Sequence, residues 1–448
     1  MISKIISGVG KRIPDFINRK FAKIPFKFRH GQSYVDFKKL IHEASFWNDD
    51  DIEKFVIFHF NKIFQHAKKF KFYKSKYEKE GVYNLNIKTL ADIKKIPIVT
   101  RQELRDNIDQ FDGHYYEKTG GTSGNPLFLY LDQNVWAREW AHYHKIWSKV
   151  DFSYTNAKFV FKRENNKDKF IKYDFENNEY IINTFEITDK DIKKFFNVLI
   201  KKDIKYFRGF PSTIYDFLRF LENKISDTQK ATITRLIKCC FFSSELPLPH
   251  IINYMNNSWN IDFLVCYGHT EACVLAAAGV NNLNYIPEHT YGYIEEENGQ
   301  LLGTSYYNYG MPLIRYRTDD LISAQKSKNG LVKSFEIVQG RVLDFFFDRK
   351  GLKVYYLDLF YDTDGEIFKY IDYLQFFQEN KGQTTLLISQ KVYKEIDVPS
   401  LLEFKKFDVD FKIIFLKEPL RTKRGKVPLR VDKLVYDNLK NEIINERG

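Results

Sequence analysis

The chain has 448 residues, of which 44% are hydrophobic and 29% are charged, and its formal net charge is +12. This length and composition exclude a disordered or fibrous protein and predict a globular one with two domains, either one large and one smaller or two of comparable size. No apolar run reaches the roughly 18 residues of a membrane-spanning helix, and four cysteines are too few for a disulfide framework. We therefore predict a cytoplasmic protein whose cysteines are buried small side chains.

The positive charge is concentrated at the amino terminus. Residues 1–30 contain eight Lys or Arg and the single acid Asp15. Two interpretations stay open: a basic amphipathic helix on an anionic membrane, or a segment that packs on the main domain with its lysines in water. The second is favoured because Gly8, Gly10 and Pro14 interrupt a helix. The charge of the remaining chain is closer to balance, which disfavours a nucleic-acid partner.

Two helices are predicted in the first third of the chain. Asp50-Asp51-Ile52-Glu53 has the pattern of a capping box, and the helix it opens should end near Gly81. A second helix should follow Asp132. Its aromatic residues recur at spacings of four, three and four, which predicts a core-facing stripe. That stripe consists of Trp136, Trp140, Tyr143 and Trp147.

A segment rich in glycine and hydroxyl groups lies between two short apolar strands. Its residues are Thr119, Gly120, Gly121, Thr122, Ser123 and Gly124. Backbone N–H and hydroxyl groups in such a loop favour anion binding. The loop lacks the Gly-Lys-Ser/Thr ending and the following helix of a P-loop, so GTPase-type phosphoryl transfer is not predicted. A plain glycine turn in a hairpin is the alternative.

From about Tyr206 onwards, short apolar strands alternate with helical stretches, which predicts an α/β sheet. The run 291–317 is rich in Tyr and Gly and predicts hairpins. A change of pattern near Gly340 begins a segment of about a hundred residues that we predict to be a small α+β domain. Its predicted strands include Thr384 to Ser389 and Phe411 to Leu416.

Tyr267-Gly268-His269-Thr270-Glu271 combines an aromatic ring, a permissive backbone, a hydroxyl and a carboxylate. An aromatic ring can stack on a purine, and Mg²⁺ prefers the hard oxygen of a carboxylate. These residue types predict a site for a magnesium-bound nucleotide.

Downstream, Arg315 to Asp320 places two guanidinium groups beside two acids, and a carboxylate there can accept ribose hydroxyls; a solvated salt-bridge loop is the alternative. The basic run Arg421 to Lys426 by itself indicates only surface charge.

Taken in chain order, these segments resemble the motif series of the adenylate-forming superfamily, which includes acyl-CoA synthetases, peptide-synthetase adenylation domains and luciferases. Within it the chain is similar to the phenylacetate-CoA ligase branch, and especially to its CapK-type members found with polysaccharide biosynthesis. The resemblance spans nearly the whole chain. The segments that carry it are Leu90 to Arg105, Thr119 to Gly124, Tyr267 to Glu271, Pro312 to Asp320, Gly340-Arg341, Pro419 to Lys426 and Arg430 to Lys433.

The resemblance implies an α/β fold with three parts. Residues 1–48 would be a basic extension packed on or near the main domain. Residues 49–339 would form the large AMP-binding domain, with mixed sheets and helices. Residues 340–448 would form a small, mobile α+β domain that carries the catalytic lysine.

The resemblance also implies a role for particular residues. Lys426, Thr270 and Glu271 would be catalytic, and Glu271 would hold Mg²⁺. Gly209, Phe210 and Pro211 would lie at the acyl pocket. The ATP- or AMP-binding residues would be Thr119, Gly120, Gly121, Thr122, Ser123, Gly124, Ser244, Glu245, Tyr267, Gly268, His269, Asp320 and Arg341. Tyr267 would stack on adenine, Thr270 would contact the α-phosphate, and Asp320 would bind ribose.

The implied activity is ATP- and Mg²⁺-dependent conversion of a carboxylic acid to an acyl-adenylate, followed by transfer to an acceptor. The resemblance favours coenzyme A, while an amine on a sugar or a protein thiol stays open. A non-catalytic nucleotide-binding scaffold is the alternative from another class. Serines 243 and 244 stand where the family usually has glycines, and Leu343 stands where its hinge is usually acidic. The sequence identifies neither the acid nor the oligomeric state.

Overall fold

The computed structural model describes residues 24–119, 127–163, 169–339, 345–359, 366–390, 395–422, 425–433 and 435–438. The α-helices in these ranges are α1 (Phe26–Ala44), α2 (Asp49–Ala67), α3 (Lys71–Lys79), α4 (Leu90–Ile93), α5 (Arg101–Asp106), α6 (Val135–Trp147), α7 (Asp189–Lys201), α8 (Pro211–Glu222), α9 (Asp227–Leu236), α10 (Pro249–Tyr254) and α11 (Val398–Leu401).

The strands of the same ranges are β1 (Tyr115–Lys118), β2 (Phe128–Leu131), β3 (Lys158–Lys162), β4 (Ile171–Asp174), β5 (Glu179–Asn183), β6 (Tyr206–Gly209), β7 (Cys239–Ser243), β8 (Asp262–Gly268), β9 (Leu275–Ala278), β10 (Tyr285–Pro287), β11 (Gly292–Glu297), β12 (Gln300–Ser305), β13 (Tyr316–Lys326), β14 (Val332–Gln339), β15 (Phe345–Phe347), β16 (Lys353–Tyr355), β17 (Tyr373–Asn380), β18 (Gln383–Ser389) and β19 (Asp410–Leu416).

Strands β3 to β14 form one mixed sheet in the order β11-β12-β13-β14-β10-β9-β8-β7-β6-β3-β5-β4. Its centre is parallel: β3 pairs with β6, β6 with β7 and β7 with β8. These strands read as continuous apolar runs because both of their faces are covered; Cys239 to Phe242, for example, are all buried. The other half is antiparallel and contains the hairpins predicted after Tyr291. The predicted α/β fold is therefore confirmed.

The last part of the chain has its own sheet, β17-β18-β19, in which β18 and β19 are parallel. Phe376, Leu386 and Ile388 belong to a hydrophobic cluster that is separate from the cluster beneath the large sheet. The two strands predicted from the sequence, near Thr384 and Phe411, lie where expected. The hinge itself, residues 340–344, lies outside the described residues, so the division at residue 340 stays a prediction.

The first predicted helix is wrong in its boundaries. The capping box of α2 is formed by Asn48 and Asp51, not by residues 50–53. The helix ends at Ala67, and α3 follows after a turn. This turn lets Tyr77 of α3 pack beneath Phe64 with ring centroids 4.8 Å apart, so tertiary packing sets a break that periodicity does not reveal.

The aromatic stripe of α6 is only partly buried. Trp147 stacks on Phe241 of β7 with centroids 4.6 Å apart, whereas Trp136 near the start of the helix is 37% exposed. The predicted core-facing role therefore holds at one end of α6 and fails at the other. The predicted cap is also displaced, because Asn134 is the N-cap and Asp132 instead pairs with Arg138 at 2.9 Å.

Helix α1 covers the other side of α6. Phe26, Tyr34 and Ile41 are buried against Ala137 and Ala141, so the described part of the N-terminal extension packs on the main domain. Residues 1–23 lie outside the described residues, and membrane contact through residues 1–30 stays a prediction. None of the helices in the described part of the chain combines the length and apolar character needed to cross a bilayer.

Arg315 ties the segment before α5 to the large sheet. Its guanidinium donates to the carbonyls of Lys94 and Ile96 and pairs with Glu295 and Glu297. Only 2% of its side chain is exposed. The interpretation of this segment as a solvated salt-bridge loop is therefore wrong for Arg315.

We expect Arg315→Met to lower the free energy of unfolding by about 3–5 kcal/mol, because Glu295 would keep a buried charge without its partner. Urea unfolding followed by circular dichroism measures this change. Arg317→Met is the matched control, since Arg317 is 39% exposed and its loss should cost about 1 kcal/mol or less. Equal effects of the two substitutions would contradict the structural role of Arg315.

Candidate active site

Three of the predicted segments come together because they follow adjacent parallel strands. Phe210 follows β6, Ser244 follows β7 and His269 follows β8. The carboxyl ends of parallel strands lie at the same edge of a sheet, which is where ligands bind in open α/β folds. This edge is the candidate active site.

The predicted catalytic lysine reaches this edge from the last part of the chain. The ammonium of Lys426 donates to the carbonyl of Ser244 at 2.5 Å and lies 5.2 Å from the ring centroid of Phe210. Ser244 has φ +67°, in the left-handed region that favours glycine, which accounts for the glycine usual here in the family that the chain resembles. Lys426, Ser244 and Phe210, predicted from three separate segments, are thus neighbours.

Glu245 makes structural contacts in this site. One carboxylate oxygen accepts hydrogen bonds from the backbone and hydroxyl of Ser212, at 3.3 and 2.8 Å, and the other accepts from the backbone of Val427 at 3.3 Å. Burial raises the pKa of Glu245, and the hydroxyl of Ser212 and the charge of Lys426 oppose that rise. Glu245 therefore joins the start of α8 to the residue after Lys426; its predicted contact with the nucleotide stays a prediction.

Tyr267 and Asp320 are brought together from distant segments. The hydroxyl of Tyr267, at the end of β8, donates to a carboxylate oxygen of Asp320 in β13. The Tyr267 ring meets Phe335 edge to face, with centroids 5.6 Å apart. The residues predicted for adenine and ribose are thus adjacent.

Glu271 is a buried carboxylate of the site, and only 5% of its side chain is exposed. One oxygen accepts from the hydroxyl of Tyr316 at 3.0 Å and from Arg101 at 3.3 Å, and Nδ1 of His269 lies 3.2 Å from the other. Burial by itself would raise the pKa of Glu271, but His269 and Arg101 outweigh it and lower that pKa to about 2. Glu271 is therefore ionised at neutral pH.

An ionised carboxylate suits Mg²⁺, which usually binds one or two carboxylates together with nucleotide phosphates. Among the described residues, no group of three or more His, Cys, Asp or Glu side chains is arranged to hold a metal. The carboxylate oxygens of Glu271 are suitable ligands for Mg²⁺. An ion bound there would share this carboxylate with Arg101 and Tyr316. Its role as the Mg²⁺ ligand stays a prediction.

The predicted phosphate loop is described only at its base. Thr119 is buried, and its hydroxyl accepts a hydrogen bond from the backbone of Leu127 at 2.9 Å, while its own backbone donates to the carbonyl of Leu127. These bonds close the hairpin of β1 and β2. The predicted residues Gly120 to Gly124, and Arg341 near the hinge, lie outside the described residues.

The predicted acyl-pocket residues mark the start of α8. Phe210 is the N-cap, and Pro211 is the first helical residue. Proline is favoured at this first helical position. At Gly209, a Cβ atom would lie 3.1 Å from the carbonyl of Phe161 in β3. This glycine is therefore explained by close strand packing, and its contact with an acid stays a prediction.

Comparison with solved structures identifies proteins that share the fold of this chain. The chain is similar to 2-hydroxyisobutyryl-CoA ligase in its postadenylation state, with a TM-score of 0.61 and 14% identity over 89% of this chain and 93% of that one. The chain has the fold of the adenylate-forming ligases. It is also similar to the GH3.15 acyl acid amido synthetase, with a TM-score of 0.55 and 14% identity over 86% and 91% of the two chains.

A curated relative with this resemblance is Protein CapK of Staphylococcus aureus, which is 21% identical over 364 residues, covering 74% of this chain and 76% of that protein. No protein-family model matches the chain. The adenylate-forming fold predicted from the motif series is thus confirmed by structure similarity, and the proteins that share it here are ligases.

Sequence reasoning did not single out Arg101 and Tyr316 as partners of Glu271. Both belong to segments that carried the family resemblance, but Glu271 is 170 residues from Arg101 and 45 from Tyr316. The parallel bridge between Val99 and Tyr316 brings the two segments together. No spacing rule in the sequence reports this contact.

The pKa of Glu271 predicts how stability responds to pH. Its folded-state value of about 2 lies below the roughly 4.3 of an unfolded chain, so ionised Glu271 stabilises the fold above about pH 4.3, and this contribution is lost as the pH falls toward 2. We expect Glu271→Gln to lower the free energy of unfolding by about 3 kcal/mol at pH 6, and by less at pH 3. Urea unfolding at several pH values measures the difference. The exposed Glu80→Gln is the control, and a Glu271→Gln effect that stays constant from pH 6 to pH 3 would contradict the assignment.

Proposed function

We propose that this protein is an ATP- and Mg²⁺-dependent ligase that converts a carboxylic acid to an acyl-adenylate and passes the acyl group to an acceptor. The observation that carries the proposal is the position of Lys426, at the carboxyl ends of β6 and β7. Glu271 lies just after the adjacent β8, and Tyr267 near the end of β8 donates to Asp320 of β13. Similarity of fold to two ligases supports the same class.

The chemistry needs positive charge at this edge. Attack of a carboxylate on the α-phosphate brings two anions together, and negative charge then grows on the phosphate and on the leaving pyrophosphate. The ammonium of Lys426 is a compact point charge that can contact both an acid and a phosphate oxygen. In the proposal Thr270 donates to the α-phosphate and the Gly120 to Gly124 backbone binds the other phosphates, because such N–H groups favour anions.

Bound Mg²⁺ would supply further neutralisation of phosphate charge at Glu271. The chain itself orients the nucleotide: Tyr267 stacks on adenine, and Asp320, fixed by the Tyr267 hydroxyl, accepts the ribose hydroxyls. Gly209 and Phe210 border the acid. In the second half-reaction the small domain withdraws Lys426 and admits the acceptor, since a hinged lysine can serve one step and leave for the next.

Coenzyme A is the proposed acceptor, as in the CoA ligase that shares the fold. An amine is the second candidate, favoured by the similar TM-score to an acyl acid amido synthetase. Resemblance to CapK-type proteins supports a role in capsule or O-antigen polysaccharide biosynthesis, in the cytoplasm or at the inner face of the membrane. The scaffold alternative is disfavoured because Glu271, Asp320 and Lys426 are all present.

We expect the protein to catalyse exchange of pyrophosphate into ATP when it is given pools of aryl, fatty, hydroxy, amino or uronic acids with Mg²⁺, and we expect chelation of the metal to abolish the exchange. The active pool is then divided to identify the acid, and CoA and amines are compared as acceptors by mass spectrometry. Measurable ATP binding with no exchange in any pool would favour the scaffold.

We expect Lys426→Ala to lower the exchange rate at least about a hundredfold, a typical cost of removing a group that stabilises transition-state charge. Transfer from a supplied acyl-adenylate to the acceptor should change little, because the lysine serves the first step. Lys417→Ala, which removes an exposed lysine of the same domain, is the control and should leave both rates unchanged. Equal loss of both steps in Lys426→Ala would contradict the assignment.

A further inference from the structure

One face of α8 is occupied by the small domain. Ser212, Asp216 and Arg219 are spaced four and three residues apart, so they share that face. The hydroxyl of Tyr373 lies 3.0 Å from both the carbonyl of Ser212 and the carboxylate of Asp216, and Arg219 pairs with Asp372 at 3.1 Å. None of these α8 residues belongs to the predicted nucleotide or acid contacts.

Asp216 also holds the loop that carries Lys426. The guanidinium of Arg421 donates through one nitrogen to Asp216 and through the other to the carbonyl of Gly425, at 3.0 Å for the second bond. Side-chain exposure is 10% for Arg421 and 13% for Asp216. The ion pair is therefore shielded from water, and its charge-assisted hydrogen bonds are strong. Through its bond to Gly425, Arg421 also contacts the backbone of the residue immediately before Lys426.

Hydrogen bonds from the small domain hold the residues on either side of Lys426. Gln375 of β17 is fully buried, and its side chain donates to the carbonyls of Leu420 and Pro428 and accepts from the backbone of Leu420. Within the loop the backbone of Thr422 donates to the carbonyl of Lys426 at 2.8 Å. A contact at Arg421 therefore fixes the position of Lys426 as well.

We propose that Asp216 is a positioning residue: together with Tyr373 and Arg421 it holds the small domain in the arrangement that places Lys426 at the carboxyl end of β7. This inference rests on the proposed function for its catalytic consequence. Removal of the Asp216 charge favours other arrangements of the small domain, so the lysine-dependent step slows. The acceptor step, which needs the lysine to leave, does not slow.

The first test compares the two half-reactions. We expect Asp216→Asn to lower ATP–pyrophosphate exchange about tenfold to a hundredfold, since breaking a shielded ion pair removes a large bias between two states. Consumption of a supplied acyl-adenylate should stay within about twofold of wild type, as a positioning role predicts. Tyr373→Phe, which removes one hydroxyl, should lower exchange less. Asp408→Asn is the control, because Asp408 pairs with Arg349 inside the small domain, away from α8.

The second test does not depend on activity. All four native cysteines are buried, so spin labels can be placed at Lys201→Cys in the large domain and Lys412→Cys in the small one, both exposed positions. Double electron–electron resonance measures the distance between the two labels. We expect one main distance in the otherwise unaltered protein and a broader or shifted distribution in Asp216→Asn. The Asp408→Asn protein should match the unaltered one, and circular dichroism verifies that each variant is folded.

The outcomes separate the two proposals. An unchanged distance distribution in folded Asp216→Asn, or equal loss of both half-reactions, overturns the positioning role. A changed distribution in a protein that shows no exchange with any acid supports the positioning contact and contradicts the proposed ligase activity. Changed distances together with selective loss of exchange support both proposals.

Discussion

The parallel pairing of β6, β7 and β8 is the constraint on which the candidate site depends. Because these strands run in the same direction and are neighbours, the residues that follow them emerge at one edge of the sheet. Phe210, Ser244 and Glu271 are far apart in the chain, yet the order and direction of the strands place them at the same edge. A register or strand-order change in this part of the sheet would separate the site without altering a single candidate residue.

Charge at this edge is arranged in two layers. Glu271 carries a buried negative charge that His269 and Arg101 stabilise, and Lys426 brings a positive charge from the small domain. The first layer belongs to the large domain, whereas the second depends on how the small domain is docked. The Asp216–Arg421 ion pair and the Glu245–Val427 hydrogen bond join the two domains. The docking contacts therefore decide whether both charges are present together.

Much of the fold could be predicted from the sequence because its signals are local. Short apolar runs predict the central strands, and segments rich in turn residues predict the hairpins. The end of α2 was missed because a turn after Ala67 is set by packing of Tyr77 against Phe64. Trp136 was misplaced because periodicity identifies a helix face but does not show how far a neighbouring layer extends over it. The sequence leaves a solvated salt-bridge loop open as the alternative for Arg315, since nothing local reveals that four oxygen-bearing residues surround it.

The sequence by itself determined the residue types available to the site and their order, which was enough to indicate a nucleotide, a divalent cation and the adenylate-forming fold. Only the tertiary structure decided which of those residues are neighbours. The basic run by itself indicates only surface charge and the family resemblance implies a role for Lys426, but only the tertiary structure places its ammonium at the carbonyl of Ser244. Asp216 carries no signal in the sequence. The physical reason is that a motif consists of residues that are close in the sequence. Ion pairs, burial and lowered pKa values instead depend on segments that come into contact only after folding.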